Sequence, residues 1–266
     1  MIPSASDSPL QARRISAALA GHAIGSEIQV HEEIASTSDH VRELGLAGWP
    51  HGVVVFAEAQ SAGRGRRENR WISEPGKDLL FSILLKPDVV IEHWARLATL
   101  AALGISRAIE DAYGLRPQIK WPNDLLLRDR KFCGILAESY AGATGSFIVL
   151  GVGLNVNTTV FPPELQELAT SLRIECEGKI FDRTQLAIGL LLHLEQALEK
   201  WENGFHEVLA EVQKRSWLMG RRIRAQHHDA QTEGVVAGLN EEGWLMVKHD
   251  DGKISTLGRA EQVRVI

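Results

Sequence analysis

Asp78-Leu-Leu-Phe-Ser-Ile-Leu-Leu-Lys-Pro87 is the stretch on which the fold reading turns. Its middle, Leu79 to Leu85, is too apolar to alternate between a wet and a dry face, and Pro87 ends it. It reads as a strand buried on both faces. Downstream, Glu92 to Tyr113 is the clearest helix, with Leu97, Leu100, Ala101, Gly104 and Ala108 at helical spacing and Gly114 and Pro117 as its stop. Upstream, Val53 to Phe56 is a short β-branched run bounded by Gly52, and Ala12 to Ala20 is a short helical pattern closed by Gly21. Further along, Ile119 to Trp121 and Leu125 to Leu127 flank a Pro-Asn-Asp turn, and Lys131 to Glu138 and Phe147 to Val156 read as strands. A second long helix covers Thr184 to Trp201, with Leu186, Leu190, Leu194, Leu198 and Trp201 as its buried stripe. Asp182 is its expected N-cap, and Gln185 stands at capping-box spacing.

The texture changes after Ser216. Arg221 to Ala225, Glu233 to Ala237, Trp244 to Lys248, Ile254 to Leu257 and Val263 to Ile266 are short alternating strands, separated by turn signals at His228-Asp229, Asn240 and Asp251-Gly252. They predict a small β-barrel or sandwich appended to an α+β domain, with the boundary at 215–220. A unit that small is marginal alone and is expected to dock on the larger domain.

The 266 residues are 44% hydrophobic and 24% charged, which excludes global disorder and a collagen-like fibre. Cys133 and Cys176 cannot form a disulfide scaffold or a four-cysteine zinc site, which suits a reducing cytosol. A net charge of −5 argues against general nucleic-acid binding while leaving room for a local basic loop. Met1 to Leu10 lacks the basic-then-apolar order of a signal peptide. The long uncharged stretch Ala141 to Pro163 is broken by Gly145, Asn155, Asn157, Thr158 and two prolines, so it is not a membrane span. There is no repeat of 20–50 residues, no zinc-ligand spacing among the histidines and no Gly-x-Ser-x-Gly elbow.

Four segments carry candidate chemistry. Gly63-Arg-Gly-Arg-Arg-Glu-Asn-Arg70-Trp71 joins a permissive backbone to guanidinium forks suited to carboxylate and phosphate, and no apolar residue anchors it before Trp71. A solvated basic loop is the bland alternative, and neither a P-loop nor a dinucleotide fingerprint is present. Lys120-Trp-Pro-Asn-Asp124 places a lysine, an amide and a carboxylate around one turn. Asp124 could hold magnesium and Lys120 could meet phosphate, although Asn-Asp after proline is also ordinary turn chemistry. Lys131-Phe-Cys-Gly-Ile-Leu-Ala-Glu138 opens an apolar strand with a lysine, a residue that at a strand end often snorkels to water. Cys133 reads as a small buried hydrophobe. Gly151-Val-Gly-Leu-Asn-Val-Asn157 puts two glycines and then Asn155 and Asn157 on one face, which leaves room for a flat ligand edged by amides, or marks a bulge.

Taken in order, these segments resemble the biotin–protein ligase (biotin–[acetyl-CoA-carboxylase] ligase) family. Ser36-Thr37-Ser38 after the strand-like Ile28 to Ile34, and Ala57-Glu-Ala-Gln60 ahead of the arginine loop, complete the likeness. It spans roughly residues 28–157 by motif and the remainder by architecture. The resemblance implies a catalytic domain like that of class II aminoacyl-tRNA synthetases, with helices on a mixed β-sheet, over 28–217. It also implies a small C-terminal Src-homology-3-like β-barrel over 218–266, with 1–27 as an extension carrying a short helix. It implies that biotin and ATP with Mg2+ give biotinyl-5′-AMP and pyrophosphate, and that a lysine of a biotin carboxyl carrier domain then takes the biotinyl group. No tightly bound prosthetic group is implied.

The same resemblance places Ser36, Thr37, Ser38 and Gln60 at the ring end of biotin, and Arg64, Gly65 and Arg66 in a loop that closes over it, with Trp71 as a wall. Lys131 would contact the biotin carboxylate and the α-phosphate. Asn123 and Asp124 would face ATP and magnesium, Asn155 would lie near the nucleotide, and Lys120, Arg66 and Arg70 would join the ATP side. Lys131, Arg66 and Asp124 are the candidate catalytic residues. One departure stands out: where the family runs Gly-Arg-Gly-Arg-x-Gly-Arg-x-Trp, this chain has Glu68 and Asn69, with Arg70 as the nearest substitute. About thirty residues precede the first catalytic strand, too few for the DNA-binding domain of some relatives, so a cytoplasmic enzyme without DNA or membrane partners is expected. A homodimer through sheet edges follows by analogy alone. Lipoate–protein ligase, which shares the adenylate logic, and a non-catalytic binder are the competing readings.

Overall fold

The computed structural model describes residues 8–66, 69–143, 145–227, 230–258, 260 and 262–266. In chain order the elements are α1 (Ala12–Ala18), β1 (Glu27–Ile34), α2 (Thr37–Leu46), β2 (Val53–Gln60), β3 (Leu79–Leu85), α3 (Leu97–Tyr113), β4 (Gln118–Lys120) and β5 (Asp124–Leu127). There follow β6 (Arg130–Gly142), β7 (Gly145–Leu154), α4 (Leu172–Glu175), α5 (Arg183–Leu198) and α6 (Phe205–Arg215). The chain ends with β8 (Arg222–His227), β9 (Ala230–Leu239), β10 (Leu245–Lys248), β11 (Ile254–Leu257) and β12 (Gln262–Val265).

The first seven strands form one mixed sheet in the order β1-β2-β3-β7-β6-β5-β4. β1 and β2 run parallel, whereas β2 and β3, and β3 and β7, run antiparallel. All seven residues of β3 are buried because the sheet is covered on both faces. Val54, Phe56, Leu79, Phe81 and Ile83 share a core with α3 and α5, while Val53, Val55, Leu84, Phe147 and Val149 pack with Val41 of α2. Gly104 permits the α3–α5 crossing: a Cβ there would stand 2.9 Å from the His193 carbonyl oxygen. Ser82, the one polar residue in β3, points to the α2 side and meets its N-terminus.

The expected helix at Glu92 begins as a 3₁₀ turn (Ile91–Arg96) before α3. Asp182 caps α5 by accepting from the Gln185 backbone N–H at 3.0 Å. The Gln185 side chain reaches Arg14 rather than closing the reciprocal half of the box. α2 and α6 were not legible as helices. The C-terminal strands form a separate antiparallel sheet in the order β11-β10-β9-β8-β12. It is fastened by the Arg96–Glu242 ion pair at 2.8 Å and by Trp121 Nε1 donating to the Gly243 carbonyl at 3.1 Å. The expected turn at His228-Asp229 lies outside the described residues.

Asp78, at the head of β3, accepts from the Val156 N–H and from the Thr158 hydroxyl, both at 2.8 Å, and so ties β3 to the segment after β7. Burial pushes its carboxyl up to about 6, with the Val156 and Thr158 hydrogen bonds and Arg183 opposing the rise. Between the ordinary 3.8 and about 6 the folded state therefore holds a proton that the unfolded chain has lost. This group's contribution falls as pH rises through that window and stays reduced above it, by up to about 3 kcal/mol. Asp78→Asn, which stays neutral, is expected to gain urea resistance relative to the native protein between pH 5 and pH 8. A difference that does not change with pH contradicts this account.

Candidate active site

Ser36 stands in extended backbone as the N-cap of α2, its hydroxyl accepting from the Asp39 N–H at 3.4 Å. The Thr37 N–H donates to Gln60 Oε1 at 2.7 Å, at the end of β2. The Ser82 hydroxyl lies 2.8 Å from that of Thr37 and 3.0 Å from that of Ser38. Ser36, Thr37, Ser38 and Ser82 are all buried, and the first three bring groups able to donate or accept to one polar end of a cavity of about 50 Å³.

The floor is made by missing side chains. Gly134 of β6 pairs directly with Gly153 of β7, and Leu136 pairs with Gly151. A Cβ at Gly153 would lie 2.5 Å from Trp71 Cε2, and one at Gly134 would lie 2.9 Å from Trp71 Cζ3. The flat group over this glycine window is thus the protein's own indole, which walls the cavity with its Nε1–H buried and unpartnered. The two amides expected at the edge turn inward instead. Asn155 donates to the Thr170 carbonyl at 2.9 Å and Asn157 to the Phe181 carbonyl at 3.0 Å. Asn155 still borders an apolar pocket with Trp71, Phe161, Leu165 and Leu168.

At the other end Lys131 Nζ meets Asp124 Oδ1 at 2.6 Å and stands 5.5 Å from the Trp71 ring centre. Asn123 donates through Nδ2 to the Ile135 carbonyl at 2.9 Å, which seats the Pro-Asn-Asp turn on β6. Arg66 donates to Asn123 Oδ1 at 3.2 Å and to the Ala260 carbonyl at 3.0 Å, joining the loop to the C-terminal sheet. Gly65, Arg66, Arg70, Lys120, Asp124 and Lys131 line a basic cleft that opens from the cavity. Lys120 also stands over the Trp217 ring at 5.2 Å, and Arg70 donates to the Ser61 carbonyl at 2.8 Å.

The arginine loop is better held than its composition implies. Its ends pair through Trp71 N–H to Gly63 O at 3.0 Å and Gly65 N–H to Asn69 O at 2.8 Å. Both terminal nitrogens of Arg64 engage carboxylates, Asp39 at 2.9 Å and Glu138 at 2.6 Å. Glu68 lies outside the described residues. Complete burial pushes the Cys133 thiol far up, so it is a packing residue. The residues that motif reading missed are Ser82, Asp39, Ala260 and the apolar pocket after β7. The strongest signal for that pocket is the apolar run of Phe161, Leu165 and Leu168, the last of which is exposed.

A hydroxyl-lined cavity thus leads past a lysine–carboxylate pair into a basic cleft. The model of the biotin/lipoate A/B protein ligase family matches residues 30–155. The chain is 32% identical over 233 residues to the bifunctional ligase/repressor BirA of Bacillus subtilis, covering 86% of this chain and 71% of that one. It is 32% identical over 244 residues to a biotin–[acetyl-CoA-carboxylase] ligase of Mycobacterium tuberculosis, covering 89% of each. A biotin protein ligase from Aquifex aeolicus, solved with biotin and ATP, superposes with a TM-score of 0.79 at 26% identity, over 91% of this chain and all of that one. The chain belongs to the biotin/lipoate A/B protein ligase family, as a biotin–protein ligase.

Proposed function

We propose that this protein activates biotin with ATP, releasing pyrophosphate and holding biotinyl-5′-AMP, and then transfers the biotinyl group to a lysine of a biotin carboxyl carrier domain. The observation that carries this reading is the Lys131–Asp124 pair at the junction of cavity and basic cleft. Two anions must meet there. A carboxylate approaching an α-phosphate faces roughly 4 kcal/mol of repulsion at 4 Å and an effective dielectric near 20. Lys131 offsets it from one side and Arg66 from the other, and no covalent enzyme nucleophile is required. The hydroxyl-lined end suits the ureido ring of biotin, which both donates and accepts hydrogen bonds, better than the dithiolane of lipoate, which donates none.

Asn123, Asp124, Lys120 and Arg70 take the triphosphate side. Asp124, one carboxylate beside an amide, fits a magnesium ion that arrives on the nucleotide and keeps most of its waters. Magnesium there supplies charge neutralisation of the phosphates. The apolar pocket of Phe161, Leu165 and Leu168 beside Asn155 fits the adenine base. We place the domain boundary at 217/218 and read the two parts as class II synthetase-like and Src-homology-3-like, on the strength of the family resemblance. Among the described residues no helix is long and apolar enough to cross a membrane. The cytoplasm, where carrier domains and ATP meet, is the proposed compartment, and the sheet edges β1 and β4 are where a homodimer would form.

Arg66 spans from Asn123 to Ala260 across the mouth of the cleft. Arg66→Gly is expected to raise the dissociation rate of biotinyl-5′-AMP by about tenfold or more, the loss of one or two charge-assisted hydrogen bonds. A rate equal to that of the native protein takes Arg66 out of the closure.

A further inference from the structure

We propose that Asp39 and Glu138, with Tyr140 beside them, form a clasp on Arg64 that fixes the root of the arginine loop, so that the Arg64 side chain positions the loop rather than reaching for biotin. The geometry joins the three elements that enclose the cavity. Asp39 lies in the first turn of α2, one residue after Ser38. Glu138 lies on β6, on the same face as Gly134 and Leu136. Arg64 opens the loop, and its backbone pairs across the loop with Arg70. Its two terminal nitrogens reach one carboxylate each, 2.9 Å to Asp39 and 2.6 Å to Glu138.

The surroundings favour the charged state. Partial burial works against the Arg64 charge, but Tyr140, Glu138 and Asp39 outweigh it and raise its affinity for the proton. Arg42 stands 3.7 Å from Asp39 and 6.0 Å from the Tyr140 ring centre, adding a second cation to the cluster. With each end of its planar fork on a carboxylate, Arg64 has its two terminal nitrogens committed to the loop's own support. Loss of either carboxylate would free the loop root from one wall of the cavity while leaving Lys131 and Asp124 in place.

The kinetic arm rests on the biotin ligase reading. It uses Asp39→Asn, Glu138→Gln, their double, Arg64→Ala, and Arg64→Ala combined with Asp39→Asn. Each carboxamide is expected to raise KM for biotin about fivefold to tenfold, with the saturating single-turnover rate of pyrophosphate formation within about twofold of native. Arg64→Ala should match the double, and adding Asp39→Asn to it should change nothing further, because all act through one clasp. Additive effects would overturn the proposal. So would silent carboxamides beside an Arg64→Ala that has lost its saturating rate. A second arm needs no substrate: hydrogen exchange of the Gly65 and Trp71 amides should quicken in both carboxamide variants, at an unchanged urea midpoint. Unchanged exchange would refute the clasp even if the native protein released no pyrophosphate with biotin, the result that would refute the ligase reading.

Discussion

Lys131→Ala is expected to slow formation of biotinyl-5′-AMP by about 10²–10³-fold, the cost typical of removing one preorganised group aimed at developing charge. The lysine is placed for that role by neighbours on three sides. Its β6 strand starts directly after the Arg128-Asp129 turn, Asp124 holds its Nζ at 2.6 Å, and the Trp71 face lies beneath it. The repulsion to be overcome, roughly 4 kcal/mol between two unit anions at 4 Å and a dielectric near 20, is itself close to a thousandfold in rate. Stability should scarcely change, because a partly exposed ion pair contributes about 1 kcal/mol or less. Single-turnover measurement at saturating biotin and Mg-ATP separates this from weaker binding. A rate near native would remove Lys131 from the chemistry.

Gly153→Ala should weaken biotin binding by about 100-fold, and for a steric reason. No left-handed backbone is involved, since Gly153 sits in the regular pairing of β7 with β6 and β3. Its new Cβ would instead stand 2.5 Å from Trp71 Cε2, about an ångström inside normal contact. The strand is fixed by ladders on both sides, so the indole must yield. A displacement of that size at a site wall costs about two orders of magnitude in a tuned pocket. Combining Gly153→Ala with Trp71→Ala removes the clash, so in that background the glycine substitution should have little effect on the titrated affinity. Equal penalties in both backgrounds would show that the glycine window does not act through the indole.

The parts of this account that were legible in the sequence are those set by local rules. β3 declared its two-sided burial through seven successive buried positions, and Asp182 declared its cap by spacing. The paired glycines of β7 marked close approach, though not what approaches. At Gly153 that group is Trp71 and at Gly151 it is the Ser38 hydroxyl, both far earlier in the chain, and no periodicity connects them. The clasp was hidden for the same reason: Arg64 is 25 positions from Asp39 and 74 from Glu138. α2 escaped because it buries only a narrow stripe, with Val41 at its centre, and its polar first turn reads as a motif rather than as a helix start. Asn155 and Asn157 had the alternation of a ligand-facing edge, but β7 ends at Leu154, so the alternation no longer dictates their direction.

Biotin-dependent release of pyrophosphate from Mg-ATP, with and without a biotin carboxyl carrier domain, tests the central claim most directly. The account predicts about one pyrophosphate per enzyme without the carrier, because the adenylate is retained, and sustained turnover once the carrier is added. Release with lipoate and none with biotin, or silence with both acids, would contradict it.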